Sequence, residues 1–99
     1  MEEEKELHPL LKNFKERMRI FHSGEDANLS RMLESSEAAI HSLVGSKDTG
    51  DPRVRELVIE RARYVYNDQV EFFYGNFQGD LMALSLENYG LEKKNKNAY

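Results

Sequence analysis

The longest helix-patterned run in the chain covers residues 51–74. Asp51 can cap a helix with its side chain, and Pro52 suits the first helical position. Apolar residues then recur three or four positions apart, with Gln69 as the one polar interruption, and they are Val54, Leu57, Val58, Ala62, Val65, Phe72 and Phe73. Neither Gly nor Pro interrupts residues 53–74. At about 1.5 Å per residue, the pattern predicts one helix of roughly 33 Å along which the rest of the domain packs.

Three shorter segments carry the same spacing. The first helix is predicted to open at residues 7–9, and its packing residues are Leu10, Leu11, Phe14 and Met18, with Ile20 and Phe21 as anchors at its end. The second covers about residues 26–44 and stops at Gly45, with an apolar face of Leu29, Met32, Leu33, Ser36, Ile40, Leu43 and Val44. After a break at Gly75-Asn76, a fourth runs from Gly79-Asp80 to Gly90, with Leu81, Met82, Leu84, Leu86 and Tyr89 as packing residues.

These segments predict an all-α fold of about four helices around a long third helix. The 99 residues suffice for one domain, residues 1–99, with its core in residues 7–90. The acidic start, residues 1–6, is expected to be solvated, and the basic tail, residues 91–99, to be mobile in the free protein. The start lacks the basic and apolar pattern of a signal peptide, and no apolar run is long enough to span a membrane.

Charge and composition narrow the classes of function. The net charge of −4 argues against nucleic acid as a direct partner, because DNA binding requires a basic face. A nucleic-acid alternative would depend on Arg53, Arg55, Arg61 and Arg63. The chain has no cysteine, which excludes disulfides and thiolate metal sites and suits a cytosolic protein.

The sequence offers little catalytic chemistry. The three histidines, His8, His22 and His41, match no compact metal motif. Glu56 and Glu60 have the spacing of a carboxylate pair, but the arginines around them favour a solvated, ion-paired helix face. There is no glycine-rich phosphate loop. We therefore expect neither an enzyme nor a cofactor.

Two clusters allow a functional interpretation beside a structural one. The aromatic residues Tyr64, Tyr66, Phe72, Phe73, Tyr74 and Phe77 suit a core, but Tyr64 and Tyr66 point about 200° apart around a helix, so one of them is free to meet a partner. The basic tail could contact an acidic protein surface or nucleic acid, or it could only solubilise the end of the chain.

The arrangement as a whole resembles the small head–tail connector (adaptor) proteins of long-tailed bacteriophages and prophages. Three stretches carry the resemblance, which covers about residues 7–90. They are LLKNFKERMRI with the loop HSGEDANL, then SSEAAIHSLVG, and DPRVRELVIERARYVYNDQVEFFYGNF followed by DLMALSLENYG. The acidic leader and the Lys/Asn-rich end depart from the plainest members of the family.

The resemblance implies a structural virion protein without an active site, with an all-helical fold. Such subunits form a ring of about a dozen copies beneath the portal, extend the DNA channel and dock the tail or a stopper protein. The implied location is the head–tail interface, and the host cytoplasm during assembly. Partners would be the portal, the stopper and other copies of the chain, with DNA only passing through the channel and no membrane.

We expect two sets of contacts on this basis. The candidates for portal contact lie in the tail and are Leu91, Lys93, Lys94, Lys96 and Tyr99. The candidates for contact with the neighbouring subunit are Arg61, Tyr64 and Asp68. The rival hypothesis is a non-viral helical protein–protein interaction module, such as a regulatory dimer.

Overall fold

The computed structural model describes residues 7–46, 48 and 50–96, and the side chains of these residues up to 90. Within this part of the chain the secondary structure is entirely helical, so the predicted all-α class is confirmed. The helices are α1 (Leu11–Met18), α2 (Asp26–Val44), α3 (Pro52–Tyr66), α4 (Val70–Asn76) and α5 (Gln78–Lys96).

The predicted start of the third helix is confirmed in detail. Asp51 has an extended backbone, with φ −73° and ψ 117°, and its Oδ1 accepts a hydrogen bond of 2.9 Å from the Arg53 backbone N–H. Pro52 occupies the first helical position, where a missing N–H breaks no bond. Gly45 likewise ends α2 in a left-handed conformation, with φ 75°.

The prediction of one unbroken helix through residues 51–74 was wrong. The helix ends at Tyr66 because Asp68 adopts a left-handed conformation with φ 59°. The Gln69 N–H then bonds to the Tyr64 carbonyl (2.8 Å) and the Asp68 N–H to the Val65 carbonyl (3.0 Å), which is the Schellman ending of a helix. Aspartate tolerates this conformation better than most residues do, so no glycine is needed for the break.

Of the glycine boundaries after this point, the predicted break at Gly75-Asn76 is shifted by one residue to Phe77, and the predicted stop at Gly90 was wrong. Gly75 lies inside α4, which ends only at Asn76, and α5 begins at Gln78 rather than at Gly79-Asp80. Gly90 does not stop α5, whose backbone stays helical to Lys96. Residues 91–96, which were predicted to belong to a tail, therefore form the last two turns of α5, and these turns contain the basic residues.

One core joins the helices, and its buried apolar residues are Leu10, Leu11, Phe14, Leu29, Leu33, Ile40, Val44, Val54, Leu57, Val58, Ile59, Ala62, Phe73, Leu81 and Leu84. Most predicted packing residues of the first three helices are in it or against it. Three are exposed instead: Phe72 and Leu43 are 56% and 42% exposed, and Phe21 is 89% exposed because the chain after α1 reverses through the left-handed Arg19.

The helices are arranged around α2 and α3, which pack most extensively against each other. α5 packs mainly against α2, and α4 lies between α3 and α5 in contact with both. α1 packs on α2 and α3 and makes no contact with α5 within the described residues. The sides of α1 and α5 that face away from the core are therefore separate surfaces.

Candidate interaction surface

α5 presents apolar side chains on two sides. Leu81 and Leu84 point into the core, whereas Met82, Leu86 and Tyr89 are 53%, 68% and 46% exposed. The three exposed residues are spaced by four and three positions, so they share one helix face. The prediction that all five residues pack in the core was wrong for these three. A helix that is apolar on its outer side as well as its inner side is typical of one that meets a second partner.

Side chains of α5 fix this helix over the end of α2. The Asn88 side chain donates a hydrogen bond of 2.8 Å to the Val44 carbonyl, and Tyr89 Oη donates one of 2.7 Å to the Ser42 carbonyl. These carbonyls belong to the last turn of α2, where backbone carbonyls have no N–H partner within the helix. α5 is thereby held in one position while the outer side of its helix stays exposed.

The exposed residues of α5 join others from α2 and α4 into one surface. Met82 lines a shallow groove of about 510 Å³ with Leu43 and Tyr74. Together with Leu86 and Tyr89, these residues form what we call the apolar face, defined as Leu43, Tyr74, Met82, Leu86 and Tyr89. Large contiguous apolar surfaces are uncommon on soluble monomers and mark sites of association.

Arg61 and Tyr64, two of the candidates for subunit contact, bind groups within their own chain. Arg61 Nε donates to Tyr74 Oη at 2.8 Å and its Nη1 to Ser36 Oγ at 3.0 Å, which ties α3 to α4 and α2. The Tyr64 ring contacts Phe73 edge to face, with ring centroids 5.7 Å apart, and its hydroxyl accepts from the Asn76 side chain. Both residues are half-buried, so each keeps some surface for a neighbour.

Asp68, the third candidate for subunit contact, is exposed in the turn between α3 and α4. The candidates for portal contact are only partly described. The backbone of Leu91, Lys93, Lys94 and Lys96 lies in the last turns of α5, while their side chains and all of Tyr99 lie outside the described residues. These contacts stay predictions.

Glu60 is the most buried carboxylate described, with 7% of its surface exposed. It accepts from Arg17 Nη1 at 2.6 Å and from Arg63 Nη2 at 2.9 Å. Arg17 also donates two hydrogen bonds, of 3.0 and 3.1 Å, to the Glu56 carboxylate, and these bonds raise the pKa of Arg17. The expected ion pairs around Glu56 and Glu60 are present, but Glu60 is not on a solvated face. It joins α1 to α3.

His8 is a buried structural residue at the start of α1. Its backbone N–H donates to Ser30 Oγ, and its Nδ1 accepts the Leu10 N–H, both at 3.0 Å. Because Nδ1 accepts, Nε2 carries the proton and donates to Glu37 at 2.6 Å. His41 Nε2 lies 3.8 Å from the same carboxylate. No cluster of three or more ligands in the described part of the chain is arranged to hold a metal ion.

Arg53 links the start of α3 to α5. Its guanidinium bonds both carboxylate oxygens of Glu87, at 2.9 and 3.1 Å, and also bonds the Asp51 side chain. The hydrogen bond from Arg53 lowers the pKa of Glu87, and the side-chain and backbone bonds from Arg53 lower the pKa of Asp51. Glu87 and Asp51 raise the pKa of Arg53 in return. All three groups are partly exposed, so water screens the pairs.

Among the described residues, no helix is long and apolar enough to cross a membrane. No protein-family model, curated protein or solved structure matches the chain.

Proposed function

We propose that the chain is a head–tail connector subunit of a long-tailed phage or prophage. Copies of it form a ring of about a dozen on the portal, extend the DNA channel and dock the tail or a stopper protein. It acts in the virion, at the head–tail interface, after assembly in the host cytoplasm. It performs no catalysis and uses no cofactor.

The observation that carries the proposal is the apolar face. An 11.6-kDa domain with Met82 and Leu86 more than half exposed, on a helix whose Asn88 and Tyr89 side chains bond the end of α2, is suited to binding protein. The basic residues 93, 94 and 96 continue the same helix in the sequence, so apolar and cationic contacts are available along α5. We assign this side of α5 to the portal.

Two further features support the proposal. The resemblance to connector proteins extends over about residues 7–90, and the all-helical fold agrees with what that resemblance implies. The net charge of −4 suits a subunit that lines a channel through which DNA slides, because like charge avoids tight phosphate contacts. Arg61, Tyr64 and Asp68 remain candidates for contact with the neighbouring subunit.

A pull-down with the portal ring of the same phage or prophage tests the assignment of α5. The double variant Met82→Ala/Leu86→Ala removes exposed side chains, so it is expected to fold normally and to weaken portal binding about tenfold or more. Phe72→Ala is the matched control, because Phe72 is 56% exposed but lies outside the apolar face. Equal binding by all three proteins would contradict the assignment.

A second variant tests the basic residues. Replacing Lys93, Lys94 and Lys96 together with Ala is expected to leave folding intact and to weaken portal binding, most strongly at low salt. Unchanged binding would show that these lysines do not contribute to the portal contact.

The rival function is a helical interaction module that forms a regulatory dimer. The apolar face would serve it equally well, with two copies meeting face to face. Light scattering with and without the portal ring separates the two. A dimer that ignores the portal would support the rival and contradict the connector.

A further inference from the structure

Phe21 is the most exposed large apolar residue of the described chain, at 89%. It lies in the loop after α1, beside Leu11, Lys15 and Asp26. The Lys15–Asp26 ion pair of 2.7 Å fixes the base of this loop against the start of α2. The backbone reversal at Arg19, with φ 60°, turns the loop outward. Phe21 thus projects from a fixed base with little to cover its ring.

A groove that would accept such a ring lies elsewhere on the same chain. It has a volume of about 470 Å³ and runs between the first turns of α3 and the early part of α5. Its floor is Leu57 and Leu84, each 3% exposed, and its walls are Pro52, Phe77 and Ala83. Its volume and apolar lining fall in the range of sites that bury a ligand group.

A chain cannot fill its own groove with its own Phe21. The groove is built on α5, and α1 and α5 make no contact within the described residues. The loop of Phe21 instead approaches the far end of α3, where Tyr66 Oη donates to Glu25 at 3.4 Å. The groove begins at Pro52, at the opposite end of that helix.

The unpaired charges around the two features differ: beside Phe21 two exposed cations outnumber one exposed carboxylate, Glu16, whereas the groove rim carries an unpaired carboxylate. Lys12 beside Phe21 and Arg19 two residues before it are exposed, and neither forms an ion pair with another described residue. On the groove rim Asp80 is exposed and likewise has no ion pair among the described residues, whereas Glu56 and Arg53 are engaged by Arg17 and Glu87. An approaching loop with Lys12 and Arg19 would therefore meet an unpaired carboxylate.

We infer that Phe21 of one copy inserts into the α3–α5 groove of a second copy, with Arg19 or Lys12 facing Asp80. The two copies use different surfaces, so the contact is heterologous and repeats from copy to copy. It deepens the proposed function, on which its biological role rests, by naming the residues through which subunits meet. The contact lies on the opposite flank of α5 from Met82, so it leaves the apolar face free.

Analytical ultracentrifugation of the full chain over a wide concentration range tests this contact. The wild-type chain is expected to rise above its monomer mass of 11.6 kDa as concentration increases. Phe21→Ala is expected to weaken self-association about tenfold or more, because a buried aromatic anchor dominates such a contact. Phe72→Ala, which removes another exposed phenylalanine, should self-associate like wild type.

A complementation experiment distinguishes this specific contact from a general loss of nonspecific self-association. Ala83→Trp fills the groove from an exposed position on α5 and keeps Phe21, whereas Phe21→Ala keeps the groove. Each variant alone is expected to stay monomeric, and an equimolar mixture is expected to form a one-to-one complex that grows no further. A mixture that stays monomeric, or Phe21→Ala that self-associates like wild type, would overturn the inference.

The two proposals fail in different ways. A chain that is monomeric at every concentration yet binds the portal ring would overturn the Phe21 contact and leave the connector standing. A chain that self-associates through Phe21 but never binds the portal would support the contact and contradict the connector.

Discussion

Tyr89 lies directly across the backbone of Gly45. A Cβ on Gly45 would come within 2.8 Å of the Tyr89 ring, which real Cβ contacts do not allow, and Gly45 has φ 75°. The absence of a side chain at Gly45 thus lets the Tyr89 ring lie here, with its hydroxyl bonded to the Ser42 carbonyl of α2. A side chain at Gly45 would displace this ring from its contact with the end of α2.

Gly45→Ala is therefore expected to destabilise the chain by about 2 kcal/mol, from the strained left-handed backbone and the displaced ring together. Urea unfolding measures the change in the free energy of unfolding. Gly90→Ala is the matched control within α5, where an added Cβ meets nothing within 4 Å. Because α5 continues through Gly90, this change is expected to stabilise the chain by about 0.5–1 kcal/mol. A loss of stability in Gly90→Ala, or no loss of stability in Gly45→Ala, would contradict the described course of α5.

The sequence predicted the class of fold and the helix starts that have explicit chemical signals. Asp51-Pro52 and Gly45 are such signals, and both act as predicted. The prediction was wrong that Gly90 ends a helix, and the break predicted at Gly75-Asn76 lies one residue later. Gly75 and Gly90 are helical because neighbouring turns supply the hydrogen bonds, and glycine costs only about 1 kcal/mol within a helix.

The sequence also contains a signal for the break after Tyr66. Asn67, Asp68 and Gln69 are three consecutive polar residues, and Asn and Asp are the residues that best tolerate a left-handed backbone. The apolar face also had a signal, because Leu81 and Leu84 cannot share one helix side with Met82, Leu86 and Tyr89. The partners of Arg61 and Glu60 depend on long-range packing, which no local pattern encodes.

Asp68→Gly should stabilise the chain by about 0.5–1 kcal/mol, because glycine adopts φ 59° without steric cost. Thermal or urea unfolding measures the gain. The neighbouring Asn67→Gly serves as a control, since Asn67 has an ordinary φ of −92° and its side chain donates to the Arg63 carbonyl. A destabilising Asp68→Gly would argue for an unbroken helix, because glycine costs about 1 kcal/mol inside a helix.

Glu60→Gln is expected to cost about 2 kcal/mol, because it leaves Arg17 and Arg63 without their shared carboxylate in a partly buried site. Glu56→Gln, which alters the exposed partner of Arg17, should cost less than about 1 kcal/mol. Both are measured by urea unfolding at neutral pH. Equal effects of the two changes would show that burial of Glu60 does not contribute.

Acid should weaken the contact of α3 with α5. The pKa of Glu87 lies below its ordinary 4.5 and that of Asp51 below its ordinary 3.8 in the folded chain. Carboxylates with lowered pKa values stabilise the fold above those ordinary values, and the contribution is lost as the pH falls through the lowered ones. We expect the free energy of unfolding to decline from about pH 5 downward.

Arg53→Met tests the origin of that decline, because Arg53 donates to both carboxylates. The variant should show a shallower fall in stability with acid than wild type. Arg31→Met is the control, since Arg31 is exposed and forms no ion pair with another described residue. An identical pH profile for wild type and Arg53→Met would contradict the assigned cause.

The mass of the chain's complex with the portal ring tests the proposed connector role. Purified chain is mixed in excess with the portal ring from the same phage or prophage, and the mixture is examined by native mass spectrometry. The account predicts a portal ring that gains a full ring of about a dozen copies of the chain. A portal ring of unchanged mass beside free chain would contradict it.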